Sequence, residues 1–308
     1  MTELTPAQER ESEGEGHPPP MHAATPPEPG PERPATQSQA RESEGEGNKP
    51  PKHAATPPEP GPERPATQSQ EREYWEEHAQ WWQDEFTDGA DPEYVEQILP
   101  IVAEALRGAT RILDIGTGEG QLARHLMDAG VKAAIGIDPS EAQTHVARER
   151  AGGPHYARAA ADALPFPDAS FEAVVACLVF EHITAVDEAI AEVARVLEPG
   201  GTFLFLLNHP LLQVPGSGWI DDHILEEQYW RIGPYLIEDV SIEQIAPDVH
   251  LPFVHRPMSR YVNTMADHGL MLQRMLEPAP PPGFLAKAPE YLESASIPRL
   301  LVLNAQRR

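Results

Sequence analysis

The chain has 308 residues, a formal net charge of −26 and one cysteine. Acidity on this scale disfavours binding to nucleic-acid phosphates. The single Cys177 excludes an internal disulfide framework, and no apolar run reaches the ~18 residues that a membrane-spanning helix needs.

Residues 10–39 and 41–70 are near-copies with a period of 31, differing at His17/Asn48, Pro18/Lys49 and Met21/Lys52. Residues 1–70 hold 16 of the 35 prolines and no Phe, Trp or Tyr. Such a segment cannot bury enough apolar surface to offset its ordering entropy, so a disordered, partly polyproline-like tail is expected over 1–70. Two readings stand for it: recruitment of a protein partner through an aromatic groove, or a tandem duplication in an unconstrained linker. The tail carries a net −6, so most of the acidity belongs to residues 71–308, which are long enough for one domain with a full core. The chain opens with no basic stretch followed by an apolar one, so no signal peptide is expected and a cytoplasmic location is.

Residues 71–100 are expected to form N-terminal cap helices. Trp75, His78, Ala79, Trp82 and Phe86 fall on one helical stripe. A buried strand over 112–115 then ends in Asp114-Ile115-Gly116-Thr117-Gly118-Glu119-Gly120, and a helix follows with Leu122, Leu126 and Met127 on one face. Glycines remove Cβ atoms where backbone must turn sharply beside a ligand. A dinucleotide fingerprint would place its third glycine where Gln121 stands. An acidic Asp114 at the strand tip suits a positively charged ligand rather than a pyrophosphate.

A second strand, 133–137, ends at Asp138, about 20 residues beyond the loop, where a carboxylate can hold a ribose diol; opening a turn is its alternative role. Asp162-Ala163-Leu164-Pro165-Phe166 precedes an apolar strand read over 173–180, and capping a helix or turn is the alternative role of Asp162. A helix over 187–197 stops at Pro199-Gly200-Gly201, and a fifth strand covers 202–207. A long connection, 208–258, follows. The C-terminal part reads as a helix over 259–269, a strand over 270–276 and a last strand over 297–305.

The glycine loop at 114–120, Asp138, the Asp162–Phe166 segment and Arg195-Val-Leu-Glu-Pro-Gly-Gly201 occur in order at suitable spacing. On these motifs the chain resembles the class I S-adenosylmethionine-dependent methyltransferases, in the small-molecule group that includes ubiquinone/menaquinone-biosynthesis methylases. The resemblance covers roughly 71–308. It implies an α/β, Rossmann-like, seven-stranded, mostly parallel sheet of order 3-2-1-4-5-7-6, with strand 7 antiparallel and helices on both faces. It also implies S-adenosyl-L-methionine as cofactor. Gly116, Thr117, Gly118 and Gly120 would lie against its methionine part, with Asp114 near the ammonium. Asp138 would hold the ribose, and Asp162, with Ala163 and Leu164, the adenine.

In such proteins the N-terminal helices and the long connection cap the site. Trp75, Trp82, Phe180, Trp219 and Trp230 are therefore candidates for an acceptor pocket suited to a flat or apolar molecule; anchoring a cover helix is the other role open to Trp75 and Trp82. His182 and His209 follow the fourth and fifth strands at the active edge of a parallel sheet, which makes them candidate catalytic bases; packing or capping is the alternative. No His/Asp/Glu cluster has tight ligand spacing, so no metal is expected. The reading is methyl transfer to a small-molecule acceptor, an aromatic or quinone-like oxygen or carbon nucleophile, by in-line displacement. The alternatives are a cofactor-binding regulatory protein without turnover and an oxidoreductase on a dinucleotide.

Overall fold

A computed structural model of the chain describes residues 68–86, 91–224, 227–292 and 295–308. The repeats at 10–39 and 41–70 lie outside the described residues apart from 68–70, which already belong to a helix. The described elements run in chain order as α1 (Gln68–Glu77), α2 (Ala79–Phe86), a π-turn (Tyr94–Ile98), α3 (Leu99–Ala105), β1 (Arg111–Ile115), α4 (Gln121–Asp128), β2 (Ala133–Asp138), α5 (Glu141–Arg150), β3 (His155–Arg158) and β4 (Phe171–Cys177). After a 3₁₀ turn (Phe180–His182) come α6 (Val186–Val196), β5 (Leu197–Asn208), β6 (Gly218–Asp222), β7 (Glu227–Arg231), β8 (Asp239–Ala246), β9 (Val249–His255), α7 (Met258–Asp267), β10 (Leu270–Leu276), α8 (Pro282–Lys287) and β11 (Leu300–Arg307).

Seven strands form one sheet in the order β10-β11-β5-β4-β1-β2-β3. β11 runs antiparallel to both β5 and β10, and the pairs among β5, β4, β1, β2 and β3 are parallel. This is the expected order, with β10 and β11 as strands 6 and 7. Period-2 alternation distributes the apolar side chains to two cores. Val174, Ala176, Phe203, Phe205 and Leu301 face α6 and α7. Ala173, Val175, Leu204, Leu206 and Val302 face α3 and α4.

Three strands differ from the sequence reading, the last of them β11, which runs from Leu300 to Arg307 where 297–305 was expected. β4 ends at Cys177 rather than at residue 180, because Leu178 takes φ +57° and turns the chain out of the sheet. β5 begins at Leu197 and carries Pro199-Gly200-Gly201 within an irregular register against β4.

The 208–258 connection folds into two hairpins, β6–β7 and β8–β9. No helix among the described residues is long and apolar enough to cross a membrane.

Candidate active site

A cleft of about 1150 Å³, counted with its open mouth, lies at the C-terminal ends of β1, β2 and β4 under α1 and α2. Parallel sheets place ligands at this edge. One side is the glycine loop. Thr117 N–H donates to Ile137 O at 2.9 Å, and Gly118 N–H donates to Asp138 Oδ2 at 3.0 Å, so the loop is stitched to the end of β2. Gly116 has φ +69°, and a Cβ there would meet Val179 Cγ2 at 2.2 Å; only glycine lets the loops after β1 and β4 approach this closely.

Asp138 stands on the wall with its other oxygen accepting from Ser140 N–H at 2.9 Å. Burial pushes its carboxyl up to about 6. Each oxygen accepts one backbone N–H and has lone pairs left for a diol. Asp162 lies on the same wall, with Ala159, Ala160 and Ala161. Its loop is fixed from α6. Arg195 donates to Leu164 O at 3.0 Å and to Phe166 O at 2.7 Å, while Glu192 accepts from Leu164 N–H at 2.8 Å. Two motifs that are separate in the sequence are therefore one structural unit.

The opposite side is aromatic. Trp75 meets the His182 ring edge-on at 4.8 Å and Trp82 at 5.4 Å, and Trp82 stacks on Phe86 at 4.3 Å. The cap is bound to the sheet by its polar residues. Glu76 accepts from Glu141 and Ala142 N–H at the start of α5, and Gln83 donates to Gln143 at 2.9 Å. His182 is buried, and its Nδ1 lies 2.6 Å from Pro252 O. A carbonyl only accepts, so Nδ1 carries the proton and the Nε2 lone pair is the ring's acceptor. Burial pushes the imidazole down to about 4, so it is neutral at physiological pH. The buried Arg256 guanidinium donates to Phe180 O, Ile183 O and Thr184 O, which holds the His182 turn in place.

Several expected site residues stand elsewhere. Phe180 is fully buried among Phe203 and Phe205, because the turn after Leu178 sends it into the core. Trp219 and Trp230 pair edge-on across β6–β7 at 5.4 Å and do not line the cleft. His209 accepts Leu211 N–H on Nδ1 at 3.1 Å, so its proton sits on Nε2 and is donated to Glu277 at 2.8 Å; neither nitrogen is left as a base. Asp114 lies one layer behind the wall, where its Oδ2 accepts from the Thr117 hydroxyl at 2.7 Å and burial pushes it up to about 7. Gly120 is also off the wall, its Cβ position filled by the Tyr156 hydroxyl end. Ala163 is exposed and Leu164 points into the core, so neither lines the cleft.

Conversely, Glu71, Arg72, Gln143 and Val179 line the cleft and were not singled out from the sequence, and Phe86 of the helical stripe and Glu119 of the glycine loop line it too. The helical i, i+4 spacing of Glu71 to Trp75 was the one available signal for the first of these. Glu119 is buried, and its Oε2 is bridged by Arg124 at 2.7 Å and Arg150 at 3.0 Å. Among the described residues no group of three or more His, Cys, Asp or Glu side chains could hold a metal ion.

Of the carboxylates on the cleft, Glu119 is paired with Arg124 and Arg150, which leaves Glu71, Asp138 and Asp162 against Arg72. That donor set fits a cationic cofactor with a ribose and no phosphate, and it opposes a pyrophosphate. The sheet order is the one that the resemblance to class I S-adenosylmethionine-dependent methyltransferases implied. Residues 113–205 match the family described as methyltransferase domain. The chain is 37% identical over 134 residues to a ubiquinone/menaquinone biosynthesis C-methyltransferase of Methylobacterium nodulans, covering 41% of this chain and 51% of that one. It is 39% identical over 118 residues to a malonyl-[acyl-carrier protein] O-methyltransferase of Geobacter sulfurreducens, covering 37% and 44%. The chain thus spans about half the length of the curated relatives it matches. A solved S-adenosylmethionine-dependent methyltransferase from Mesorhizobium loti superposes with a TM-score of 0.60 at 27% identity, over 68% of this chain and 96% of that one. The chain thus carries a methyltransferase domain and is similar to class I S-adenosylmethionine-dependent methyltransferases, ubiquinone/menaquinone-biosynthesis methylases among them.

Proposed function

We propose that the chain transfers a methyl group from S-adenosylmethionine to a small flat acceptor, an aromatic or quinone-like oxygen or carbon nucleophile. The observation that carries this reading is the juxtaposition, in one cleft, of the Asp138–glycine-loop wall with the Trp75–Trp82–His182 wall. When bound, S-adenosylmethionine supplies an electrophilic methyl group on a cationic sulfur.

The chain's own residues do the rest. Asp138 grips the ribose hydroxyls, Asp162 takes the adenine amino group, and the backbone at Gly116–Gly118 lies under the methionine part. Trp75, Trp82 and Phe86 cover the acceptor and keep water out, which protects a displacement whose rate comes mainly from alignment. His182, neutral and fixed by Pro252, offers its Nε2 lone pair as a hydrogen-bond acceptor that orients the nucleophile. A ring held near a pKa of about 4 is a weak proton acceptor, so orientation is its main contribution. The buried, unpaired Cys177 suits the reducing cytoplasm proposed as its compartment.

The test is methyl transfer from radiolabelled S-adenosylmethionine by the purified full-length chain across a panel of phenols, quinols and amines. Label on a phenol or quinol supports the proposal. Cofactor binding with no transfer to any of the panel would instead make the chain a cofactor-binding regulator.

A further inference from the structure

Glu71 enters the cleft from the first turn of α1. It is 8% exposed, and its Oε1 is buried with no hydrogen-bond partner. The protein groups its carboxylate does meet are the backbone amide and hydroxyl of Thr184, two residues beyond His182, with the Arg256 charge behind them. A buried acceptor oxygen left without a donor is costly, and such groups persist where a ligand completes them.

The neighbours say which ligand. Glu71 stands one helical turn before Trp75 on the same face, and Trp75 packs edge-on against His182. The carboxylate therefore belongs to the aromatic wall, with the Asp162 charge as a further neighbour in the cleft. Arg256, which straps residues 180–184 through three carbonyls, keeps Thr184 and hence the Glu71 carboxylate in position.

We propose that Glu71 selects the methyl acceptor, its buried Oε1 receiving a hydrogen bond from a hydroxyl on a flat acceptor lying against Trp75 beside His182. The assignment rests on the methyl-transfer reading above and narrows the acceptor class to molecules that carry a hydrogen-bond donor on the ring. A ring of the same shape without that donor leaves the carboxylate oxygen unpaired and is rejected. Burial also raises the carboxyl above its ordinary value, which reflects how poorly its surroundings solvate it.

The experiment uses the full-length protein saturated with S-adenosylhomocysteine and two probes, 1-naphthol and 1-methoxynaphthalene, titrated by calorimetry. The wild type is expected to prefer the naphthol about tenfold, the size of one hydrogen bond to a charged group. Glu71→Leu is expected to bring the ratio close to one. Glu71→Gln, isosteric and still an acceptor, is expected to narrow it to about threefold, since an uncharged acceptor bonds roughly half as strongly. S-adenosylhomocysteine affinity is expected to stay within about twofold in both variants. A ratio unchanged in Glu71→Gln, or a wild type that binds both probes equally or neither, overturns the assignment. So does a tenfold loss of S-adenosylhomocysteine affinity in the variants, which would place Glu71 on the cofactor. Failure of the methyl-transfer reading itself is seen separately, as wild type that binds no S-adenosylhomocysteine in the first titration.

Discussion

Asp138 Oδ2 accepts a hydrogen bond from the backbone N–H of Gly118 at 3.0 Å, so the end of β2 and the glycine loop after β1 form one continuous wall. The same carboxylate holds the loop and is the one proposed to grip the ribose. Asp138→Ala removes both roles. A hydrogen bond to a charged group contributes about 1.5–3 kcal/mol, so calorimetry should record at least a tenfold loss of S-adenosylhomocysteine affinity.

Gly116→Ala tests the close approach of two loops. The new methyl would sit on Val179 at a backbone φ of +69°, where an L side chain is strained. Overpacking of this kind costs about 1–3 kcal/mol. A lowered thermal midpoint together with weaker cofactor binding is expected, and a variant indistinguishable from wild type in both would contradict the loop geometry.

Acid should stabilise the cofactor-free protein. Burial pushes Asp114 and Glu181 up to about 7 and Asp138 up to about 6. Between roughly pH 4 and 7 the folded state holds protons that the unfolded chain has released, so stability falls as pH rises through that window. His182, pushed down to about 4, opposes this with the opposite sign, one group against three. The carboxylates of Glu172, Asp187 and Glu192, held below their ordinary range by hydrogen bonds, withdraw their contribution only at lower pH. The thermal midpoint should therefore be higher at pH 5 than at pH 8. Cofactor affinity should move the other way below about pH 6, because Asp138 must be ionised to accept from two hydroxyls.

Trp219 and His209 should be dispensable for binding. Loss of the Trp219–Trp230 ring contact removes about 0.5–1.5 kcal/mol from its hairpin. Trp219→Ala and His209→Gln are both expected to lower the thermal midpoint while leaving S-adenosylhomocysteine affinity within about twofold. A tenfold loss of affinity in either would return that residue to the site.

The glycine-loop wall of the cleft was legible in the sequence because its parts are local, although Asp114, Gly120, Ala163 and Leu164 stand off it. A strand, its glycine loop and an acidic strand end lie within a few dozen residues, and β1 and β2 pair directly. Asp162 and the Arg195 motif were visible as separate signals, but their union through Leu164 O and Phe166 O needed the fold. The acceptor side was less legible because long-range contacts decide it. His209 is spent on Glu277, 68 residues away. Phe180 continues an apolar run in sequence, yet the single left-handed residue Leu178 diverts it into the core. Trp219 and Trp230 pack against each other across a hairpin, which composition does not reveal. Glu71 carried no motif at all; only its helical register with Trp75 marked it.

The most direct test of the account is a calorimetric titration of the purified full-length chain with S-adenosylhomocysteine, run beside NADH. The acidic cleft predicts binding of S-adenosylhomocysteine in the micromolar range and none of the dinucleotide, whose pyrophosphate it opposes. No heat with S-adenosylhomocysteine, or tighter binding of NADH, would contradict it.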